Sequence, residues 1–129
     1  MELVLSFNII WKVNILYRIF TGHVSGQEIL ASNLAIQGDS RFDDLRYIIN
    51  DFTDITDFNI TQQDISKIVA IDNAAAKSNP NIKIAIVTTL DPLQEWIKYY
   101  CQNVEDSLYE CKIFGNVREA KNWATVVTN

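Results

Sequence analysis

The sequence predicts an α/β domain with a single mixed sheet of about five strands, in the element order β-β-α-β-α-β-α-β-α. Three observations predict it. Two β-rich runs near the start are separated by only three residues. Short apolar runs then alternate with segments of helical periodicity. Each helical segment begins at a residue type that caps helices. The later strands should therefore be parallel and joined by right-handed crossovers.

The first two strands are predicted to form a hairpin. Residues from Leu3 to Trp11 and from Ile15 to Thr21 are rich in β-branched and aromatic types, and the connection between them is short. The second run is apolar on both faces, which is typical of a strand covered on two sides. Gly22 is expected to end this strand, which would leave His23, the only histidine, in a loop.

The four helices are predicted from their first residues, which are Ser25, Thr61, Asp91 and Asn116. In the first two helices an acid three residues later, Glu28 or Asp64, completes a capping box. These two helices should run to about Gln37 and about Ser78. Glu105 and Asp106 should lie in the turn after the third helix or at its frayed end.

Three further strands are predicted, at Tyr47 to Phe52, Ile82 to Thr88 and Tyr109 to Phe114. The unbroken apolar start of the first of these indicates a central, parallel strand. Asp51, Asp54 and Asp57 follow it at intervals of three. We expect a turn there, because this spacing would not place them on one face of a regular strand.

Charge is concentrated in one segment. Residues 39–64 hold seven aspartates and two arginines, so they carry the whole formal net charge of −5. This acidity argues against nucleic acid and anionic membranes as partners. A solvated acidic face is the simplest interpretation, and a protein partner with a basic surface is the alternative.

The length of 129 residues predicts a single domain, residues 1–129. The first residues lack the pattern of a signal peptide, and no apolar run reaches membrane-spanning length. We therefore expect a cytoplasmic location, with Cys101 and Cys111 reduced and packed as small apolar groups.

No catalytic constellation is recognisable, so the sequence predicts a protein that is not an enzyme and has no cofactor or bound metal. A Cys–His pair of His23 with Cys101 or Cys111 stays open as a minor alternative. So does a loose Mg²⁺ site at the aspartates, although aspartates are common in turns without any metal. No glycine-rich phosphate-binding loop is present.

Aromatic residues in the last two helices raise another alternative. Trp96, Tyr99, Tyr100 and Trp123 occur at helical spacing and are expected to belong to the core. An excess left exposed would mark a homodimer face or a groove for an apolar ligand, such as a lipid or acyl chain, between helices and sheet.

The chain resembles the STAS domain, the anti-sigma-factor antagonist fold, and most of all its small stand-alone bacterial branch. The segments that carry the resemblance are ILYRIFTGHVSGQEI, DSRF with a following DL, IINDFTDITDFNIT, IKIAIVTT and KIFGNVREAKNW. Together they extend from about Ile15 to Trp123. The resemblance implies that the helices pack mainly on one face of the sheet and that the domain binds a protein partner.

In regulatory STAS domains a serine near the start of the second helix is phosphorylated, in a pattern like Asp-Ser-Ser-Gly. The corresponding residues here are Asn59, Ile60, Thr61 and Gln62, so that Ile60 replaces the acceptor and Gln62 the glycine. Thr61 is the nearest hydroxyl and the candidate phosphosite. The predicted partner surface consists of Asp54, Thr56, Asp57, Asn59 and Thr61.

Overall fold

The computed structural model describes residues 6–105 and 109–125. Its elements are β1 (Phe7–Lys12), β2 (Ile15–Ser25), α1 (Gly26–Gln37), β3 (Tyr47–Asn59), α2 (Gln62–Ser78), β4 (Lys83–Val87), α3 (Asp91–Glu105), β5 (Glu110–Phe114) and α4 (Val117–Thr125). A 3₁₀ turn, Phe42–Asp44, lies between α1 and β3. The predicted order is confirmed, while Leu3 to Leu5 and Asp106 lie outside the described residues.

The five described strands form one mixed sheet in the order β1-β2-β3-β4-β5. β1 and β2 pair antiparallel as the predicted hairpin, and the remaining neighbours are parallel. β3 is central, between β2 and β4, as its apolar start indicated. The predicted fold class, a single mixed α/β sheet, is therefore confirmed.

The helices α1, α2 and α3 pack on one face of the sheet and α4 packs on the other, which agrees with helices mainly on one face. The main core lies under the first three helices and includes Leu16, Phe20, Val24, Ile68, Leu93 and Val104. A smaller cluster under α4 includes Ile49, Ala85, Val87 and Phe114. Trp123 packs against this cluster, and its ring centroid lies 5.5 Å from that of Phe114.

Both β2 and β3 are longer than predicted. β2 continues through Gly22 to Ser25, and β3 continues through the aspartates to Asn59. The predicted break and the predicted turn are therefore wrong. Gly22 adopts a φ of 67°, which a glycine tolerates, so the strand can deviate locally without ending. His23 consequently lies in a strand and not in a loop.

The predicted capping boxes are present. The Ser25 hydroxyl accepts from the Glu28 N–H, and the Thr61 hydroxyl accepts from the Asp64 N–H, each at 3.1 Å. Both acids accept in return from the N–H of the capping residue. These bonds satisfy amide groups that a helix start leaves without intrahelical partners.

Cys101 and Cys111 form a disulfide, so the prediction of two reduced thiols is wrong. Cys101 lies in α3 and Cys111 in β5, and packing of that helix beside that strand brings their Cα atoms to 5.3 Å. This separation is within the ordinary disulfide range. Sequence separation alone did not reveal the contact, and the cytoplasmic location stays a prediction.

Candidate functional site

Two strands extend beyond their neighbours at one end of the sheet. β4 pairs with β3 from Tyr47 to Asp51, and β1 pairs with β2 as far as Phe20. Past these points β2 and β3 continue side by side as a two-stranded extension, residues 21–25 and 54–59, which we call the ribbon. Its helix-side face contributes the buried Val24 and Ile55 to the core, while its other face is open.

Bulges place the aspartates of β3 on this open face. The pairing with β2 shifts register twice, and each shift adds one residue to β3. Asp51, Asp54 and Asp57 therefore lie opposite alternate residues of β2, which are Ile19, Thr21 and His23. At the first bulge the carboxylate of Asp51 accepts from the Thr53 N–H at 2.9 Å. The three-residue spacing thus gives one acidic face.

All five predicted partner-surface residues are exposed, and the structure divides them into two groups. Asp54, Thr56 and Asp57 belong to the ribbon, where the Thr56 hydroxyl donates to Asp57 at 3.3 Å. Asn59, the last residue of the ribbon, and Thr61 line a polar hollow between the first turns of α1 and α2. The open face and this hollow adjoin at the end of the ribbon.

His23 is a member of the open face that sequence reasoning missed. Its Nδ1 lies 2.9 Å from Oδ1 of Asp57, and both side chains are more than half exposed. Among the described residues, no lysine or arginine forms an ion pair with Asp54 or Asp57. The face is therefore negative and open to solvent. Only the cross-strand register, which the sequence does not show, could have joined His23 to it.

The hollow is shaped by a close approach of two helix starts. A Cβ atom at Gly26 would overlap the side chain of Asp64, so only glycine fits at this first residue of α1. The Thr61 hydroxyl is exposed to solvent but is already engaged as the α2 cap. The geometry therefore assigns Thr61 a structural role as the N-cap of α2.

The minor alternatives for chemistry find no support in this arrangement. His23 contacts Asp57, and the two cysteines are bonded to each other, so the considered Cys–His pair is not formed. Within residues 6–105 and 109–125, no group of three or more His, Cys, Asp or Glu side chains is placed to hold a metal ion.

A second candidate site lies beneath the helices. A cleft between the sheet, α2 and α3 has a cavity volume of about 50 Å³ and opens to solvent. Its walls are mainly apolar and include Phe52, Ile60, Ile65, Ile86, Trp96 and Ile97. Tyr100 belongs to the core, as expected, Trp96 packs against it, and both line this cleft. Tyr99 is 37% exposed, so its expected place in the core is wrong.

The floor of the cleft is polar. Arg18 and Asn50 face each other across β2 and β3, and the two residues are only 4% and 6% exposed. Arg18 Nε donates to Asn50 Oδ1 at 2.9 Å, and Nη1 donates to the Ser32 hydroxyl at 2.8 Å and to Asn33 Oδ1. Burial lowers the pKa of Arg18 to about 10, so the guanidinium stays charged at neutral pH.

Asp72 of α2 lies beside this floor and is 4% exposed. Its carboxylate accepts from Tyr100 Oη at 2.5 Å, Gln37 Nε2 at 2.7 Å and Asn33 Nδ2 at 3.1 Å. Burial raises the pKa of Asp72 despite these donors, and burial beside Asp72 raises the pKa of Tyr100. Asn33 thus bridges Arg18 and Asp72.

Comparison with known proteins identifies the fold. No family model and no curated protein matches the chain. Among solved structures, an uncharacterized DUF3478-family protein from Shewanella loihica PV-4, described as having a SpoIIAA-like fold, is similar with a TM-score of 0.56 and 15% identity. The match covers 96% of this chain and 98% of that one.

The anti-sigma factor antagonist SpoIIAA is also similar. Its unphosphorylated form matches with a TM-score of 0.59 and 6% identity, over 88% of this chain and 91% of that one. The phosphorylated form of SpoIIAA, described as a Bacillus cell fate determinant, matches with a TM-score of 0.55 and 11% identity, over 91% and 97% of the chains. No described helix is both long and apolar enough to cross a bilayer. The structural similarities show that the chain has the SpoIIAA-like, STAS-type fold that its sequence resembles.

Proposed function

We propose that the chain is a non-enzymatic protein-interaction domain whose partner docks on the open face of the ribbon and the adjoining hollow. The observation that carries the proposal is the placement of Asp54 and Asp57 on one exposed face without a lysine or arginine partner among the described residues. The fold supports the same function class, because SpoIIAA is an anti-sigma factor antagonist.

The chemistry of this surface favours a partner with a basic patch. Aspartates on a solvent-exposed strand pair attract cationic side chains, and such attraction raises association rates more than it raises affinity. Binding of this kind should weaken as the ionic strength increases.

Charge reversal at the ribbon tests the proposal. The variant D54K/D57K, immobilised beside wild type, should lose most of its captured partner in a quantitative pull-down from native lysate. D43K/D44K is a matched control, because it makes the same change in net charge at exposed residues of the 3₁₀ turn. Equal capture by wild type and D54K/D57K would remove the ribbon from the proposal, and loss by both variants would indicate nonspecific charge attraction.

If the partner is a second copy of this chain, the proposal predicts a homodimer. The native mass of the purified protein tests it directly. A dimer mass for wild type that becomes a monomer mass in D54K/D57K would assign the ribbon to the dimer contact. A monomer mass at all accessible concentrations would exclude the second copy as partner.

Thr61 is the proposed phosphosite of this surface. A phosphoryl group there would add negative charge at a helix N-terminus but beside the carboxylate of Asp64, so its local effects oppose each other. Phosphopeptide mapping of the protein from its native cells should detect modification at Thr61. Unmodified Thr61 peptides under all growth conditions would contradict the assignment.

Binding of a small apolar ligand is the second candidate function, and the apolar cleft between the sheet, α2 and α3 favours it. Native mass spectrometry after gentle purification should then show an adduct that disappears on denaturation. I65W, which fills the cleft wall, should prevent the adduct, whereas L34W on the exposed surface of α1 should not. A clean apo mass for wild type would count against this function.

A further inference from the structure

The guanidinium of Arg18 is a buried charge without a carboxylate partner. Its hydrogen-bond acceptors are the neutral side chains of Ser32, Asn33 and Asn50. Among the described residues, no carboxylate oxygen lies within 4.0 Å of its nitrogens, and none accepts from Nη2. Burying an unpaired charge is costly, so an interior arginine is ordinarily paired.

Asp72 is the nearby acid, but its lone pairs are used elsewhere. Asn33 lies between the two charges, accepting from Arg18 and donating to Asp72. Tyr100 and Gln37 donate to the same carboxylate from the helix side. Asp72 therefore attracts Arg18 through space without contacting it, and Nη2 of the guanidinium keeps its donor capacity.

A second unused donor lies next to the first. Asn50 accepts from Arg18 through Oδ1, and its Nδ2 donates to no acceptor in the part of the chain that the structure describes. Both residues line the cleft. Adjacent N–H groups of a guanidinium and an amide suit a planar group with two acceptor oxygens, and charge selects an anion.

We infer that the cleft binds a small carboxylic acid with an apolar body, whose carboxylate contacts Arg18 and Asn50 and whose body lies against the walls formed by α2, α3 and Phe52. The inference rests on the second candidate function and names the ligand class of that site. The ligand supplies a carboxylate in direct contact with Arg18, which Asp72 does not provide, and the isoleucine-rich walls exclude water from the ion pair, which strengthens it.

A matched ligand series tests this inference on the wild-type protein. Octanoate, octanol and octylamine share one chain length and differ in the head group. In isothermal titration calorimetry octanoate should bind at least about tenfold more tightly than octanol, and octylamine should bind more weakly than either, since a buried cation repels it.

An isosteric variant sharpens the test. N50D places a carboxylate beside Arg18 from within the chain, so it should abolish the preference for octanoate over octanol while leaving the fold intact. N116D is the control, because it adds the same charge at the start of α4, where aspartate caps as well as asparagine. N116D should keep the wild-type preference.

The outcomes distinguish the carboxylate inference from the broader proposal that the cleft binds an apolar ligand. Octanol binding as tightly as octanoate to wild type would overturn the carboxylate inference and leave apolar ligand binding intact. Heat from none of the three compounds, together with unchanged amide spectra on their addition, would overturn both. Undiminished octanoate preference in N50D would show that the carboxylate binds elsewhere and would also overturn the inference.

Discussion

The ribbon and the cleft floor are built by the same two strands, β2 and β3. The ribbon carries negative charges exposed to solvent, and the cleft floor carries the buried positive charge of Arg18. Asp54 and Asp57 are in water, where their charges cost little and attract partners at a distance. Arg18 and Asp72 are almost fully buried, where each charge must be compensated by hydrogen bonds. The exposed charges should therefore govern recognition, and the buried charges should govern stability as well.

The largest effect is expected for D72A. The substitution leaves three donors without an acceptor, two of them on buried residues, and removes the negative charge nearest Arg18. The free energy of unfolding in urea should fall by about 3–5 kcal/mol. D57A removes an equal charge from the open face and should change the free energy of unfolding by less than about 0.5 kcal/mol. Similar losses in the two variants would break the comparison.

The pH dependence of stability should distinguish the same two regions. The folded-state pKa of Asp72 is raised by burial, so its contribution to stability is fully present below the unfolded pKa of about 3.9. That contribution is lost as the pH rises through the folded pKa. The unfolding free energy of wild type minus that of D72N should therefore decrease with rising pH. A difference that increases with pH would contradict the raised pKa.

T61A should have an intermediate effect. It removes the hydroxyl that caps α2, and losing such a cap costs about 1 kcal/mol. T61S retains the hydroxyl and should stay close to wild type in thermal unfolding. If T61A weakens capture of a partner while T61S does not, the hydroxyl also contributes to the proposed surface. If T61A is as stable as wild type, its capping role is negligible.

The smallest effect is expected for the ion pair of His23 and Asp57. Both side chains are largely exposed, and such pairs contribute about 0.2–1 kcal/mol. A double-mutant cycle with H23A and D57A should give a coupling energy in that range that diminishes in high salt. A salt-independent coupling energy above about 2 kcal/mol would show that the open face is less solvated than its exposure indicates.

Local signals were sufficient for the fold and for part of the candidate site. Capping residues located the helix starts, and apolar runs located the strands, because both depend on neighbours in sequence. The end of β3 was missed because aspartates favour turns, whereas here its pairing with β2 holds them extended. The exposure of Asp54, Thr56 and Asp57 followed from their polarity.

The cleft floor could not be predicted in the same way. Arg18 is an interior residue of an apolar strand, and Asp72 falls within the apolar stripe of α2, positions that would each normally be hydrophobic. A charged residue at each of these two positions was the signal that the sequence offered for a buried polar site. Its meaning depended on Asn33, Asn50 and Tyr100, which come from three other elements and meet only in the folded chain.

The bulges of β3 have a consequence for how this segment can change during evolution. Each extra residue reverses the alternation of side chains after it, and two extra residues restore it. Deleting one residue between Asp51 and Asp57 would turn Phe58 away from the core and bring a neighbouring polar residue inward. Relatives should therefore vary freely in residue type here but keep the same length, or change it by two residues at once.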